Sequence, residues 1–85
     1  MAKLIIDVRE PHEYAGSHVA GAINIPLNEI ARGSAKLDEV ELDTEIVLYC
    51  RSGGRSGMAL AALKEQGYTN LTNGINQAVV ENNHL

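Results

Sequence analysis

A single cysteine stands in the 85 residues of this chain, and its neighbours are those a sulfur nucleophile requires. The segment Cys50-Arg51-Ser52-Gly53-Gly54-Arg55-Ser56 follows an apolar run, Ile46-Val47-Leu48-Tyr49, and precedes a stretch that reads as a helix as far as Gln66. A turn between a buried strand and a helix start aims backbone N–H groups and the positive end of the helix dipole at one point, which favours negative charge. A cysteine placed there ionises readily. Gly53 and Gly54 allow the loop to curl its amides inward, because glycine tolerates positive φ and leaves room for an anion. Arg51 and Arg55 add permanent positive charge, which favours thiolate over thiol and suits a bound oxyanion. Cys50 is therefore the candidate catalytic residue, with Arg51, Ser52, Gly53, Gly54 and Arg55 as candidate substrate-binding residues. Set against this is the ordinary role of a lone free cysteine as a small buried hydrophobe. The two arginines and two glycines tip the reading towards chemistry, with the sulfur expected at a solvent-facing loop edge. Arg55 begins a helix, where its charge opposes the dipole, and this suggests that it serves a bound anion.

The elements that carry this loop follow from the apolar pattern. Residues 3–8 form a nearly continuous apolar run, as in a strand buried on both faces. Residues 9–14 turn into a short helix that has Pro11 in its first turn and ends at Gly16. Residues 22–25 make a second strand stopped by Pro26, and residues 27–32 a helical turn or two before Gly33. Residues 37–42 read as loop or weak helix, 45–49 as the third strand, 55–66 as the main helix and 69–72 as the fourth strand. A last short helix is expected over 75–80, before a frayed polar tail at 81–85. Strands alternating with helical segments predict a small α/β domain with a parallel sheet and short helices on both faces. Sites in such sheets form beyond the carboxyl ends of the strands, so Asp7 and Arg9 after the first strand are expected at the same edge as Cys50. Each is a candidate supporting residue, weighed evenly against a turn carboxylate and a surface charge.

Composition bounds the function. A chain of 85 residues is one domain with one modest core, taken here as residues 1–85. Apolar content of 45% with three tyrosines and no Trp or Phe predicts a core of Ile, Leu, Val and Ala. A formal net charge of −4 without a Lys/Arg cluster argues against nucleic-acid binding. No apolar stretch has membrane-spanning length. Three scattered histidines and one cysteine show no metal-ligand spacing, so neither metal nor organic cofactor is expected. As written the chain reads as cytoplasmic; it would be periplasmic if a leader before Met1-Ala2-Lys3 had been removed.

Several ordered segments together resemble the single-domain rhodanese family of sulfurtransferases. Leu4 to Tyr14 (LIIDVREPHEY) is similar to the family's opening LIDVREPxEY, and Gly16 to Pro26 (GSHVAGAINIP) to its GHIxGAxNIP. Ile46 to Ser56 resembles its strand and active-site loop, and Gly67 to Leu71 its GYxxV segment. The resemblance implies a persulfide cycle in which Cys50 takes a sulfane sulfur from a donor such as thiosulfate and passes it to a nucleophile such as cyanide, with no proton-removing role for His12 or His18. The implied partners are a small-molecule sulfur donor and acceptor, with a sulfur-relay protein as a further partner class and a monomer as the expected state. The family pattern carries a further strand and helix before the opening motif, and this chain begins at that motif. A four-stranded sheet in the order four-three-one-two is therefore expected, as in a short, exported form of the family. Asn73-Gly74-Ile75 and Ala78 stand where the family has a GGxxxW-like ending. Phosphatases and arsenate reductases of the same fold class have loops one residue longer between Cys and Arg, so the four residues Arg51 to Gly54 suit a persulfide better than a phosphate. A non-catalytic binding module is the other alternative, and such modules commonly lack the cysteine.

Overall fold

The structure is a computed structural model that describes residues 3–85, so Met1 and Ala2, which bear on the leader question, lie outside the described residues. Strand β1 (Leu4–Asp7) leads to helix α1 (Pro11–Gly16), strand β2 (Ile23–Asn24) and helix α2 (Leu27–Arg32). After a single 3-10 turn at Ala35–Leu37 come β3 (Ile46–Cys50), α3 (Gly54–Glu65), β4 (Leu71–Asn76) and α4 (Gln77–Asn83). All strand pairs are parallel and the order is β2-β1-β3-β4, the expected topology.

The sheet separates two apolar layers because successive side chains of a strand point to opposite faces. Ile46, Leu48 and Cys50 of β3 join Ile6, Ile30, Ala59 and Leu63 on the side covered by α2 and α3. Val47 and Tyr49 join Ile5, Val19, Ala22 and Val80 on the side covered by α4 and the loop before β2. Every residue of β3 is buried, which is what an unbroken apolar run predicts for a central strand.

The carboxyl end of the chain departs from the expected boundaries. The fourth strand begins two residues later than expected and runs to Asn76, and the last helix spans Gln77–Asn83, so the 81–85 stretch read as a frayed tail is helical over most of its length. Asn73-Gly74 looks like a turn in the sequence, yet it is a bulge: Leu48 pairs with Asn73, Tyr49 pairs with Ile75, and Gly74 is the residue without a partner. A Cβ on Gly74 would lie 2.6 Å from Val80 Cγ2 and 2.8 Å from Val47 Cγ1, so the backbone passes where only glycine fits. The next residue, Ile75, takes φ of 75°, a conformation that costs a β-branched residue strain. Asn76 then caps α4 by accepting from Val79 N at 2.8 Å.

Candidate active site

Strand β3 ends on Cys50 and α3 begins four residues later, so the loop between them is short and its geometry is set by Gly53, at φ 95°. That left-handed turn brings Gly53 N to 3.1 Å from Cys50 Sγ, and Ser56 N approaches the same sulfur at 3.5 Å. The Ser56 hydroxyl lies 3.4 Å from Sγ. Burial pushes the Cys50 thiol up, but hydrogen bonds from the Ser56 hydroxyl and from the amides of Ser56, Ser52 and Gly53 outweigh it and bring the thiol down to about 7. Near neutral pH a large share of the sulfur is therefore thiolate.

Cys50 itself is only 2% exposed and packs in the α2/α3 layer, so it does not stand at a solvent-facing edge as the sequence reading had it. Arg51, Ser52 and Gly54 are exposed around it, and Gly53 and Arg55 are partly buried.

The two arginines differ. Arg55 is already engaged: its Nη1 and Nη2 donate to Glu13 Oε1 and Oε2 at 2.8 and 3.2 Å. The pair holds the Glu13 carboxyl down to about 2 and raises the Arg55 guanidinium, an effect to which the nearby Cys50 charge adds. Glu13 Oε1 also accepts from Glu10 N at 2.9 Å, so one carboxylate caps α1 and ties it to α3. Arg55 is thus not the unanswered charge that its place at a helix start suggested.

Asp7 and Arg9 lie at the expected sheet edge but do not reach the sulfur. Asp7 pairs with Tyr49 in the ladder, and Tyr49 points to the face opposite Cys50. Asp7 is fully buried and accepts from Arg9 N, Nε and Nη2 and from the Tyr49 hydroxyl at 2.9, 2.9, 2.6 and 3.0 Å. Arg9 also donates to Ser17 O at 2.7 Å and lies 5.4 Å from the Tyr49 ring centre. Burial pushes the Tyr49 phenol up to about 12, keeping it a neutral donor to Asp7. The cluster fastens the strand end that carries the loop. His18 stacks on Tyr14 and His12 is exposed, in keeping with structural and surface roles.

Three residues around the loop were not singled out by sequence reasoning: Ser56, Glu13 and Asn73. Asn73 Oδ1 accepts from Ser56 Oγ at 2.7 Å and from Ile75 N at 3.0 Å, and its Nδ2 donates to Gly53 O at 3.1 Å. The available signal was a polar residue ahead of Gly74, which reads equally well as a turn.

The parallel α/β sheet thus delivers one cysteine, its thiol brought down by hydrogen bonds, into the amides of a strand-to-helix loop. Residues 1–79 match the family described as the Rhodanese-like domain, and the chain belongs to that family of sulfurtransferases. It is 46% identical over 68 residues to the thiosulfate sulfurtransferase PspE of Escherichia coli, an alignment that covers 80% of this chain and 64% of PspE. It is also 41% identical over 69 residues to YqhL of Bacillus subtilis, covering 81% of this chain and 52% of that protein. The chain thus spans less than two thirds of the length of these curated relatives. Among solved structures, a rhodanese with anions from E. coli superposes with a TM-score of 0.81 at 38% identity, covering 92% of this chain and 91% of the other. Among the described residues no helix is long and apolar enough to cross a membrane.

Proposed function

We propose that this protein moves a sulfane sulfur from thiosulfate, or a similar donor, to a thiophilic acceptor such as cyanide through a persulfide on Cys50. The observation that carries this reading is the sulfur's position, bonded by the Gly53 and Ser56 amides at the start of α3 and brought down to about 7. In the charging step the Cys50 thiolate attacks the sulfane sulfur. An S–S bond forms to Sγ, the bond to the sulfonate sulfur breaks, and sulfite leaves with the electron pair. In discharge the acceptor attacks the outer sulfur, the pair returns to Sγ, and thiocyanate leaves when the acceptor is cyanide. Ser52, Gly53 and Gly54 surround the persulfide with backbone donors, and exposed Arg51 meets the anionic oxygens of the donor. Arg55 adds charge from within its pair with Glu13.

A relative described as a putative sulfur carrier protein, YrkF of B. subtilis, is 41% identical over 69 residues, which favours a partner protein as a second class of acceptor. Both acceptor readings share the persulfide. Intact mass after exposure to thiosulfate should therefore show a gain of one sulfur atom, reversed by cyanide and absent in Cys50→Ser. An unchanged mass in the unaltered chain would sink the persulfide.

A further inference from the structure

Ser56 Oγ has one proton and two acceptors within reach. It is fully buried, 2.7 Å from Asn73 Oδ1 and 3.4 Å from Cys50 Sγ, so its hydroxyl hydrogen serves one or the other. When Cys50 is a thiol, the S–H can donate to Ser56 Oγ while the hydroxyl donates to Asn73. When the sulfur is a thiolate it only accepts, and the hydroxyl must turn towards it. Asn73 tolerates losing that bond because its Oδ1 keeps the one from Ile75 N. We propose that Asn73 is a positioning residue for the sulfur, its side-chain carbonyl being the resting acceptor for the Ser56 hydroxyl proton, which swings to Sγ whenever Sγ carries the charge.

The consequence for transfer rests on the sulfurtransferase reading. In the free thiolate, and as the S–S bond breaks in discharge, the electron pair is on Sγ and the hydroxyl points there. In the persulfide the charge sits on the outer sulfur, Sγ is bonded and neutral, and the hydroxyl returns to Asn73. No proton leaves Ser56 at any stage. The bond from Asn73 Nδ2 to Gly53 O fixes the carbonyl beside the loop, and Gly57, whose Cβ position lies 3.4 Å from that Nδ2, leaves it room. The charged groups near the sulfur are Arg51 of the loop and Arg55 of α3, the latter held by Glu13 of α1; β4 contributes no titratable side chain.

Because Asn73 competes with the thiolate for one proton, removing it should make Cys50 more acidic. Cys50 is the only cysteine, so the ultraviolet absorbance of its thiolate reports the titration directly. Asn73→Ala should lower the midpoint by roughly half a unit to one unit, the scale of the one neutral hydrogen bond, from Ser56 to Asn73, that the thiol form loses. In a Ser56→Ala background the same change should do nothing. A residue that merely braces the loop through Gly53 would instead shift the midpoint upwards, and by the same amount in both backgrounds; either result, or no shift at all, overturns the proposal. Should Asn73→Ala fail to fold, Asn73→Asp keeps an acceptor in place and should raise the midpoint, by less when Ser56 is alanine. An equal rise in both backgrounds overturns the proposal as well. The titration needs no sulfur donor, so these shifts without any persulfide formation would defeat the sulfurtransferase reading and leave the positioning role of Asn73 standing.

Discussion

Glu13 carries two tasks on one carboxylate, and its charge state decides both. It accepts from the Arg55 guanidinium and from Glu10 N, and these bonds hold it down to about 2 from an ordinary 4.5. A carboxyl whose folded value is depressed binds its proton more tightly when unfolded, so its stabilisation is complete above about 4.5 and is lost as pH falls towards about 2. Glu13→Gln should remove that component of the acid branch of the stability curve. At neutral pH the loss should be about 1 kcal/mol, since a bidentate pair of partly exposed side chains stabilises modestly. Urea midpoints at several pH values between 2.5 and 7 would check this, and parallel curves for the two proteins across the whole range would refute it. Arg55→Ala should destabilise by a similar amount, the reverse of what a dipole-opposing charge at a helix start predicts, because the charge is answered from another helix. Forty-two positions separate Glu13 from Arg55, and no local pattern in the sequence connects them.

Continuous apolar runs made β1 and β3 legible, Pro11 and Gly33 marked the edges of α1 and α2, and the alternation of strands and helices pointed to a parallel sheet, while its order, which proved correct, came from the family resemblance and not from the pattern. The cysteine loop was legible for the same reason, since it lies between two strongly patterned elements. The last strand reads short of its end because Asn73-Gly74 has turn chemistry, and only the third dimension shows β3 continuing to pair past the bulge. Tertiary packing overrides local propensity there: Gly74 threads between Val80 of α4 and Val47 of β3, and the ladder resumes at Ile75. Gly74→Ala would drive a methyl into two branched side chains that cannot retract, and overpacking of this kind costs typically about 1–3 kcal/mol. Thermal melting should register the loss, together with weakened sulfur transfer because the bulge also places Asn73 beside Ser56. A melting temperature equal to that of the unaltered protein would show that β4 relaxes freely and that its bulge is not held by packing.

At the scale of the whole molecule, a net charge of −4 coexists with positive features gathered locally around Cys50: a helix start, converging amides and Arg51, with Arg55 answered by Glu13. Stability is limited in the same way, since a domain of 85 residues commands only roughly 4–13 kcal/mol in total. One buried cluster bears on that total more than its size suggests. Asp7 satisfies Arg9 and the Tyr49 hydroxyl, Tyr49 in turn accepts from Val19 N at 3.0 Å, and Arg9 reaches Ser17, so a single carboxylate joins β1, β3 and the loop before β2. Asp7→Ala would leave the Arg9 guanidinium buried without its counter-charge, and breaking a buried pair on one side costs about 3–5 kcal/mol. That is enough to take much of the domain's stability. The expected result is a large fall in the urea midpoint, with sulfur transfer per folded molecule preserved at low temperature, because the cluster lies on the sheet face opposite Cys50. Were transfer abolished while the urea midpoint stayed where it is, Asp7 would belong to the chemistry of the sulfur and its role as a fastening for the strand end would be wrong.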